Sequence, residues 1–497
     1  MTSINLPTML AADRPLHRAR LQMIPRQAAR AAAHNGMEEA PRGRFVAMGL
    51  LLSGALIGAA AAINDGRLHH LGMQWLTLGL LSMACGLLLC RSTVARGGVS
   101  LSLLSTAAAI VVAFQLTHLW LCGVQTSAGG NLPVAALRAC VMVFGLGVAV
   151  AVLTRRQALG AAIVVAAFAT AAFAAIWTHP HPRIDVWMFQ TESAQALLDG
   201  RHPYGVRYRD MYWPGGTADF YGPGASVDGW LTYSFPYPPA SLLLVLPGQL
   251  AGDVRYAHAA ALSVAGALLM LTARNRLGVL VGACLLSSPR ALLTVTMGWT
   301  EPLLLLASAA TAFAGVRAGG RGLWATIGLW VALKQYMILL VPLLRLIGPT
   351  LGSRRRWRQT VLAAALLVGA LTVPFFATRP GAFVDATVRW QFIQPFRYDA
   401  LSYPAMTAQL GGGESSSPLL PLSAAGAAIL LAWWKAPRGV GGLLSASAVV
   451  FGVFFAFSKQ AFCNYYLLVC GLCFCAVAAL ATSPPAAIAR DRGGKIV

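Results

Sequence analysis

The sequence predicts an all-α polytopic membrane protein of about twelve to fourteen transmembrane helices, carrying an external loop with an amphipathic helix. Three observations predict it. Of 497 residues, 57% are hydrophobic and only 11% charged, with a mean hydropathy of +0.65, whereas a soluble domain carries roughly 25% charged residues to cover its surface. Apolar runs close to the ~20 residues that span a bilayer recur along the whole chain. The arginines behind the net charge of +22 sit in short clusters between those runs, the pattern of the positive-inside rule rather than of a nucleic-acid-binding face. No nucleic-acid partner is expected.

Residues 1–43 are polar and basic and read as a disordered cytoplasmic tail with no cleavable signal peptide. Spans at 45–63, 71–90, 99–122, 133–153 and 158–178 form the N-terminal transmembrane helices (44–178). With the tail, Arg91, Arg96, Arg155 and Arg156 facing the cytoplasm, these five spans leave residues 179–237 outside. A crossing at 238–251 would put Arg274 and Arg276 outside, so "PPASLLLVLPGQL" reads as an interfacial or re-entrant helix. Residues 179–252 are then one external unit.

The C-terminal bundle (253–482) has runs at 256–273, 277–297, 302–316, 323–347, 359–376, 418–434, 439–457 and 465–482. Arginine clusters flank both ends of 323–347, which fits two broken half-helices dipping around Lys334; such backbone is tolerated at depth where it lines a cavity. Residues 483–497 read as a second cytoplasmic tail, so both termini face inward. The chain is expected to be a multi-pass plasma (inner) membrane protein among membrane lipids. The nine cysteines fall mostly inside apolar runs, as expected of helix packing.

Candidate chemistry gathers outside. Loop 179–237 contains Tyr204, Tyr208, Tyr212, Trp213, Phe220, Tyr221, Trp230, Tyr233, Phe235 and Tyr237, which fit an interfacial aromatic belt, a sugar-stacking lid, or both. Asp185, Met188, Phe189 and Glu192 recur at i, i+3, i+4 and i+7, one face of a helix lying along the membrane. Gly200 stops that helix and Pro203 forbids its continuation. Asp185 at its start is either a first-turn acid favoured by the helix dipole or a functional carboxylate. There is no Asp-x-Asp motif, His179 and His181 lack an obvious third ligand, and no Walker A or dinucleotide fingerprint appears; neither a metal nor a cofactor is expected.

An apolar helix followed by Asp185, the helix ending "LLDGRHPYG", then "YSFPYPPASLLLVLPGQL", "GWTEPLLLLASA" and "LWVALKQYMILLVPLL" resembles the glycosyltransferase C superfamily. The likeness, over about 180–480, is greatest to the polyprenol-phosphate-mannose-dependent alpha-mannosyltransferase family. In that family the Asp loop follows the first span; here five spans precede it. The resemblance implies a donor sugar, mannose or a related hexose, on a polyprenyl phosphate and an acceptor glycan or glycolipid outside. It also implies that Asp185 is the general base of an inverting displacement, which needs one positioned carboxylate.

Charge grows on the departing phosphate, so a cation beside it acts most strongly in the transition state. Two of only four lysines occur as Lys-Gln pairs, Lys334-Gln335 and Lys459-Gln460, and a basic residue near the bilayer interior is expensive and by default functional. Arg290 in "SSPRALL" is a weaker candidate of the same kind. Arg183, Glu192, Tyr204, Tyr237 and Glu301 complete the substrate-binding candidates. The role of Glu301 is open, since Trp-Thr-Glu replaces the family's commoner Gly-Gln type of pair. Arg389, Gln391, Arg397 and Asp399 in the second external loop read mainly as solvated surface. The competing readings are a transporter or flippase of lipid-linked glycans, and a ligase moving a whole glycan.

Overall fold

The computed structural model describes residues 41–90, 92, 95, 98–123, 134–414 and 417–482. Both predicted tails, apart from 41–43, lie outside the described residues, as do Arg91 and Arg96. Eight helices are long and apolar enough to cross a membrane: Pro41–Gly66, His70–Leu88, Leu101–Cys122, Val134–Leu153, Gln157–Trp177, Arg255–Ala273, Arg354–Thr378 and Cys463–Thr482. Seven shorter apolar helices, of 10–17 residues, fill the bundle between them. The described strands, Ser226–Val227 and Trp230–Leu231, make one small antiparallel hairpin. The chain is an all-α polytopic protein built for a membrane.

The core is formed by Val440–Ala456 and Cys463–Thr482, buried along nearly their whole length, against Arg255–Ala273, Arg276–Leu286 and Glu301–Val316. Small residues allow this packing: a Cβ at Gly471 would stand 2.1 Å from Leu305 Cδ2. By contrast, Arg354–Thr378 buries only Ala364 and turns its apolar surface outward, as a lipid-facing helix does.

Three local features set the geometry. Residues 323–347 do break at Lys334: a helix runs over Leu323–Ala332, Lys334 is extended (φ −153°, ψ 146°), and a 3₁₀ segment, Gln335–Ile347, follows. The Pro239–Leu250 helix has 12 residues, about 18 Å at 1.5 Å per residue, too short to span a bilayer core of about 30 Å. It starts beside Tyr237 and ends where Gln249 donates to Gln195 of the Asp185–Leu198 helix at 3.1 Å.

The predicted single run 277–297 is instead two helices, Arg276–Leu286 and Ala291–Thr296. Ser287 and Ser288 bond back to Ala283 O and Cys284 O, each at 2.8 Å. Pro289 has no N–H to continue the ladder and disfavours helix at the residue before it.

Following the helices in order separates the charges. Arg317 donates to Thr272 O at 2.7 Å, Cys90 to Lys435 O at 3.2 Å, and Gly439 N–H to Leu346 O at 2.8 Å. These contacts gather the arginines at 274–276, 317–321 and 354–358 at the end of the bundle away from Asp185, and Arg155 and Arg156 precede the Gln157–Trp177 helix at its end remote from Asp185. Cysteines at Val227 and Arg155, both exposed, are therefore expected to react with an impermeant thiol reagent from opposite sides of the membrane. The exposed native Cys85 and Cys122 are replaced first. Labelling of both from one side contradicts the arrangement.

Candidate active site

Asp185 opens its helix because Ile184 is extended (φ −151°, ψ 135°). The carboxylate falls in the first turn, where the helix dipole favours it, and its Oδ1 accepts from Val186 N–H at 2.8 Å. The helix stops at Gly200, left-handed at φ +72°, with Arg201 N–H reaching back to Ala196 O at 2.7 Å. The buried side chains are Phe189, Gln190, Ser193, Ala194 and Ala196.

Three contacts fix this helix against the bundle. Phe189 meets the Tyr208 ring edge-on, with centroids 4.7 Å apart, and Ser193 and Tyr208 share a hydroxyl hydrogen bond. Gln190 donates to Gly298 O at 2.6 Å and meets His258 Nε2 at 2.9 Å. Arg255, fully buried, pairs with Asp253 at 2.5 Å and donates to His179 O (2.7 Å), Pro180 O (3.2 Å) and Thr296 O (3.0 Å). Arg255 thus holds the strand of chain that leads into Asp185, a role the sequence did not disclose.

Asp185 faces a cavity of 350 Å³ whose walls come from six regions of the chain: Asp65 and Arg67, Arg183 with Tyr212 and Phe220, Trp299, Lys334, Trp390 with Arg397, and Phe462 to Tyr465. Burial pushes the Asp185 carboxyl up to about 6, against the opposing effects of the Val186 N–H and the Arg397 guanidinium. Arg397 lies over the Phe220 and Phe462 rings (4.6 and 4.9 Å) and binds Asp399 through two contacts of 2.9 Å. It is a cavity wall rather than solvated loop surface. Burial and then the Asp185 charge hold the Tyr212 and Tyr237 hydroxyls above their ordinary range, so both remain hydrogen-bond donors.

A second cavity, of 430 Å³, lies alongside, with Ile338, Val388, Phe392, Pro421, Leu422 and Phe454 among its apolar walls. Tyr237, Lys334, Trp390, Gln394, Gln460 and Tyr465 line both cavities. Lys334 is therefore at the junction. Its ammonium contacts Glu301 Oε1 at 2.5 Å and lies 5.2–5.7 Å from the centres of the Tyr237, Tyr336 and Tyr465 rings. Glu301 is fully buried, with Oε2 lacking any hydrogen-bond partner, as does the indole N–H of Trp390.

The two Lys-Gln pairs do converge. Gln335 donates to Pro236 O at 2.5 Å, Gln460 to Pro395 O at 2.9 Å, and Lys459 to Phe392 O and Gln394 O at 2.9 and 2.5 Å. Together they hold the wall segments of the second cavity in place.

Of the sequence candidates, Arg183, Asp185, Tyr237, Lys334, Gln335, Lys459 and Gln460 line one cavity or the other, and Glu301 stands behind Lys334. Three do not. Glu192 is exposed two turns from Asp185, about 10 Å along the helix axis. Tyr204 is buried, its hydroxyl donating to Tyr237 O at 2.6 Å, so it fixes a cavity residue without reaching the cavity. Arg290 donates to Ala61 O (3.1 Å) and Ala62 O (2.6 Å) and pairs with Asp65 at 2.9 Å; it ties off the end of the first helix.

The loop aromatics likewise divide. Tyr204, Tyr208, Tyr221, Tyr233 and Phe235 form a buried core of the loop, whereas Tyr212, Phe220 and Tyr237 face the cavity. Among the described residues no three His, Cys, Asp or Glu side chains are grouped to hold a metal ion.

Asp65 and Arg67 were not singled out in the sequence. The signal for them was available: the turn between the first two spans falls, by alternation, on the same side as loop 179–237. No protein-family model, no curated protein and no solved structure matches this chain.

The arrangement offers Asp185, the half-buried carboxylate of the cavity that is in no ion pair among the described residues, aromatic faces and tyrosine hydroxyls around it, and a buried cation at the passage to an apolar chamber.

Proposed function

We propose that the protein is a membrane glycosyltransferase that moves a hexose, most simply mannose, from a polyprenyl-phosphate donor to a glycan or glycolipid acceptor. The observation that supports it best is the pairing of the two chambers at Lys334. A sugar and its acceptor suit the polar, aromatic chamber of Asp185, and a polyprenyl chain suits the apolar one. The linking phosphate then falls at the junction.

In the reaction the acceptor oxygen forms its bond to the anomeric carbon as its proton passes to Asp185. The bond between that carbon and the phosphate oxygen breaks, its electron pair leaving on the polyprenyl phosphate. Lys334 offsets the charge that develops there. The chambers open on the extracytoplasmic side in this reading, with the arginine-rich end in the cytoplasm.

The test supplies membranes holding the protein with radiolabelled polyprenyl-phosphate-mannose and an acceptor extract. Labelled product is expected with wild type and absent with Asp185→Asn. Passage of intact labelled lipid between leaflets, with no product, supports a flippase instead.

The pH dependence follows from the same carboxyl. Asp185 accepts a proton only when ionised, and its value is about 6. The rate kcat/KM is therefore expected to fall as pH drops through about 6 and to level off above it. An acid limb near 4, the ordinary carboxylate range, would remove Asp185 as the base.

A further inference from the structure

The end of the bundle away from Asp185 is cationic throughout. Arginines at 155–156, 274–276, 321, 345, 354–358 and 438 are exposed there. The described carboxylates lie at the Asp185 end or, for Glu301, in the core, and the chain from Pro302 to Val384 contains none. No ion pair joins Arg345 or the arginines of 354–358 to a described carboxylate.

Within this face lies a groove of 600 Å³ lined by Arg345, Gly348, Gly352, Ser353, Arg354 and Trp357, among others. Its side chains are held ready. The Arg345 guanidinium lies 4.8 Å from the centre of the Trp433 ring, and the Trp357 indole donates to Leu344 O at 2.8 Å. Gly352 turns the chain at φ +70°, with open space where a Cβ would be. From this rim the lipid-facing Arg354–Thr378 helix departs.

We propose that this groove binds the phosphate headgroup of an anionic phospholipid. Arg345 and Arg354 contact the phosphate, and Trp357 sits at the headgroup level that indoles favour. Uncompensated arginines at a membrane surface attract anionic lipid, and the planar guanidinium matches phosphate oxygens two at a time. The site is separate from the two chambers and does not depend on the transferase reading.

The test places the full chain in phosphatidylcholine nanodiscs and titrates phosphatidylglycerol, counting retained lipid by native mass spectrometry. Arg345→Gln with Arg354→Gln is compared with Arg155→Gln with Arg156→Gln, which removes equal charge from the same face outside the groove. Affinity is expected to fall roughly 30-fold in the groove pair and little in the other, and inorganic phosphate in solution should not displace the lipid. Equal losses in both pairs would mean diffuse attraction and overturn the site, as would absence of any preference for phosphatidylglycerol in the wild type. Displacement by inorganic phosphate would assign the groove to a free anion instead. Arg354→Gln alone, which spares the Trp433 contact, carries the comparison if the groove pair fails to fold in phosphatidylcholine.

Discussion

Asp185→Asn is expected to lower turnover roughly 10²–10⁴-fold, the usual worth of a positioned general base, with expression and melting temperature retained. The substitution keeps the size and the acceptor oxygen facing Val186 N–H, and removes only the capacity to take a proton. The sign of the stability effect follows from the raised value of about 6. Above that pH the folded protein holds an ionised carboxylate against its burial, so loss of the charge does not weaken the fold and relieves some of that cost. A catalytic carboxylate and a merely capping one therefore predict opposite patterns. A carboxylate that only caps the helix predicts chemistry left intact, because asparagine keeps the hydrogen bond to Val186 N–H. Full activity in Asp185→Asn, with Glu301→Gln inactive, would move the base to the buried carboxylate.

Lys334→Ala carries the second large effect, and it is expected first in stability. The substitution leaves Glu301, fully buried and with one oxygen already unpartnered, without its counter-ion. Breaking a buried pair from one side costs roughly 3–5 kcal/mol, which lowers both the melting temperature and the yield of folded protein. Loss of activity in this variant alone thus says little about phosphate. The double variant Lys334→Met with Glu301→Gln separates the roles, because it removes both charges and leaves nothing unpaired. Its melting temperature should recover most of the loss. Transfer should stay low if the ammonium acts on the donor phosphate, whereas recovery of transfer together with stability would make Lys334 purely structural.

Local punctuation was legible in the sequence and pairing was not. The Asp185–Leu198 helix ends where Gly200 and Pro203 require, and the break at Lys334 and a Pro239–Leu250 helix of only 12 residues agree with where arginines can lie. These features are decided within a few residues. Lys334 and Glu301 were each conspicuous, yet their contact joins two different helices and leaves no mark in either segment. The Arg255 clamp is less visible still, because its partners at 179, 180 and 296 are backbone carbonyls, which any residue type supplies. Glu192 shares a helical face with Asp185, but period alone cannot tell which end of that face the cavity occupies. Arg290 looked like a phosphate ligand because a buried arginine needs partners. It found them in Asp65 and the carbonyls at the end of the first helix.

One corner of the site has a consequence for how the protein is made. Arg67 bridges Ala400, Leu68 N–H bonds Asp399 O at 2.8 Å, and Leu401 N–H bonds Ala461 O at 2.8 Å. Gly66, at φ +71°, packs so closely on Cys463 that a Cβ there would lie 2.4 Å from the cysteine's own. The first hairpin of helices is thereby stitched to the last, and loop closures of that span are the slowest contacts a chain forms. Asp185 is synthesised early and waits. A chain that stops short of the Cys463–Thr482 helix has the carboxylate but lacks the wall that Cys463, Asn464 and Tyr465 give its cavity.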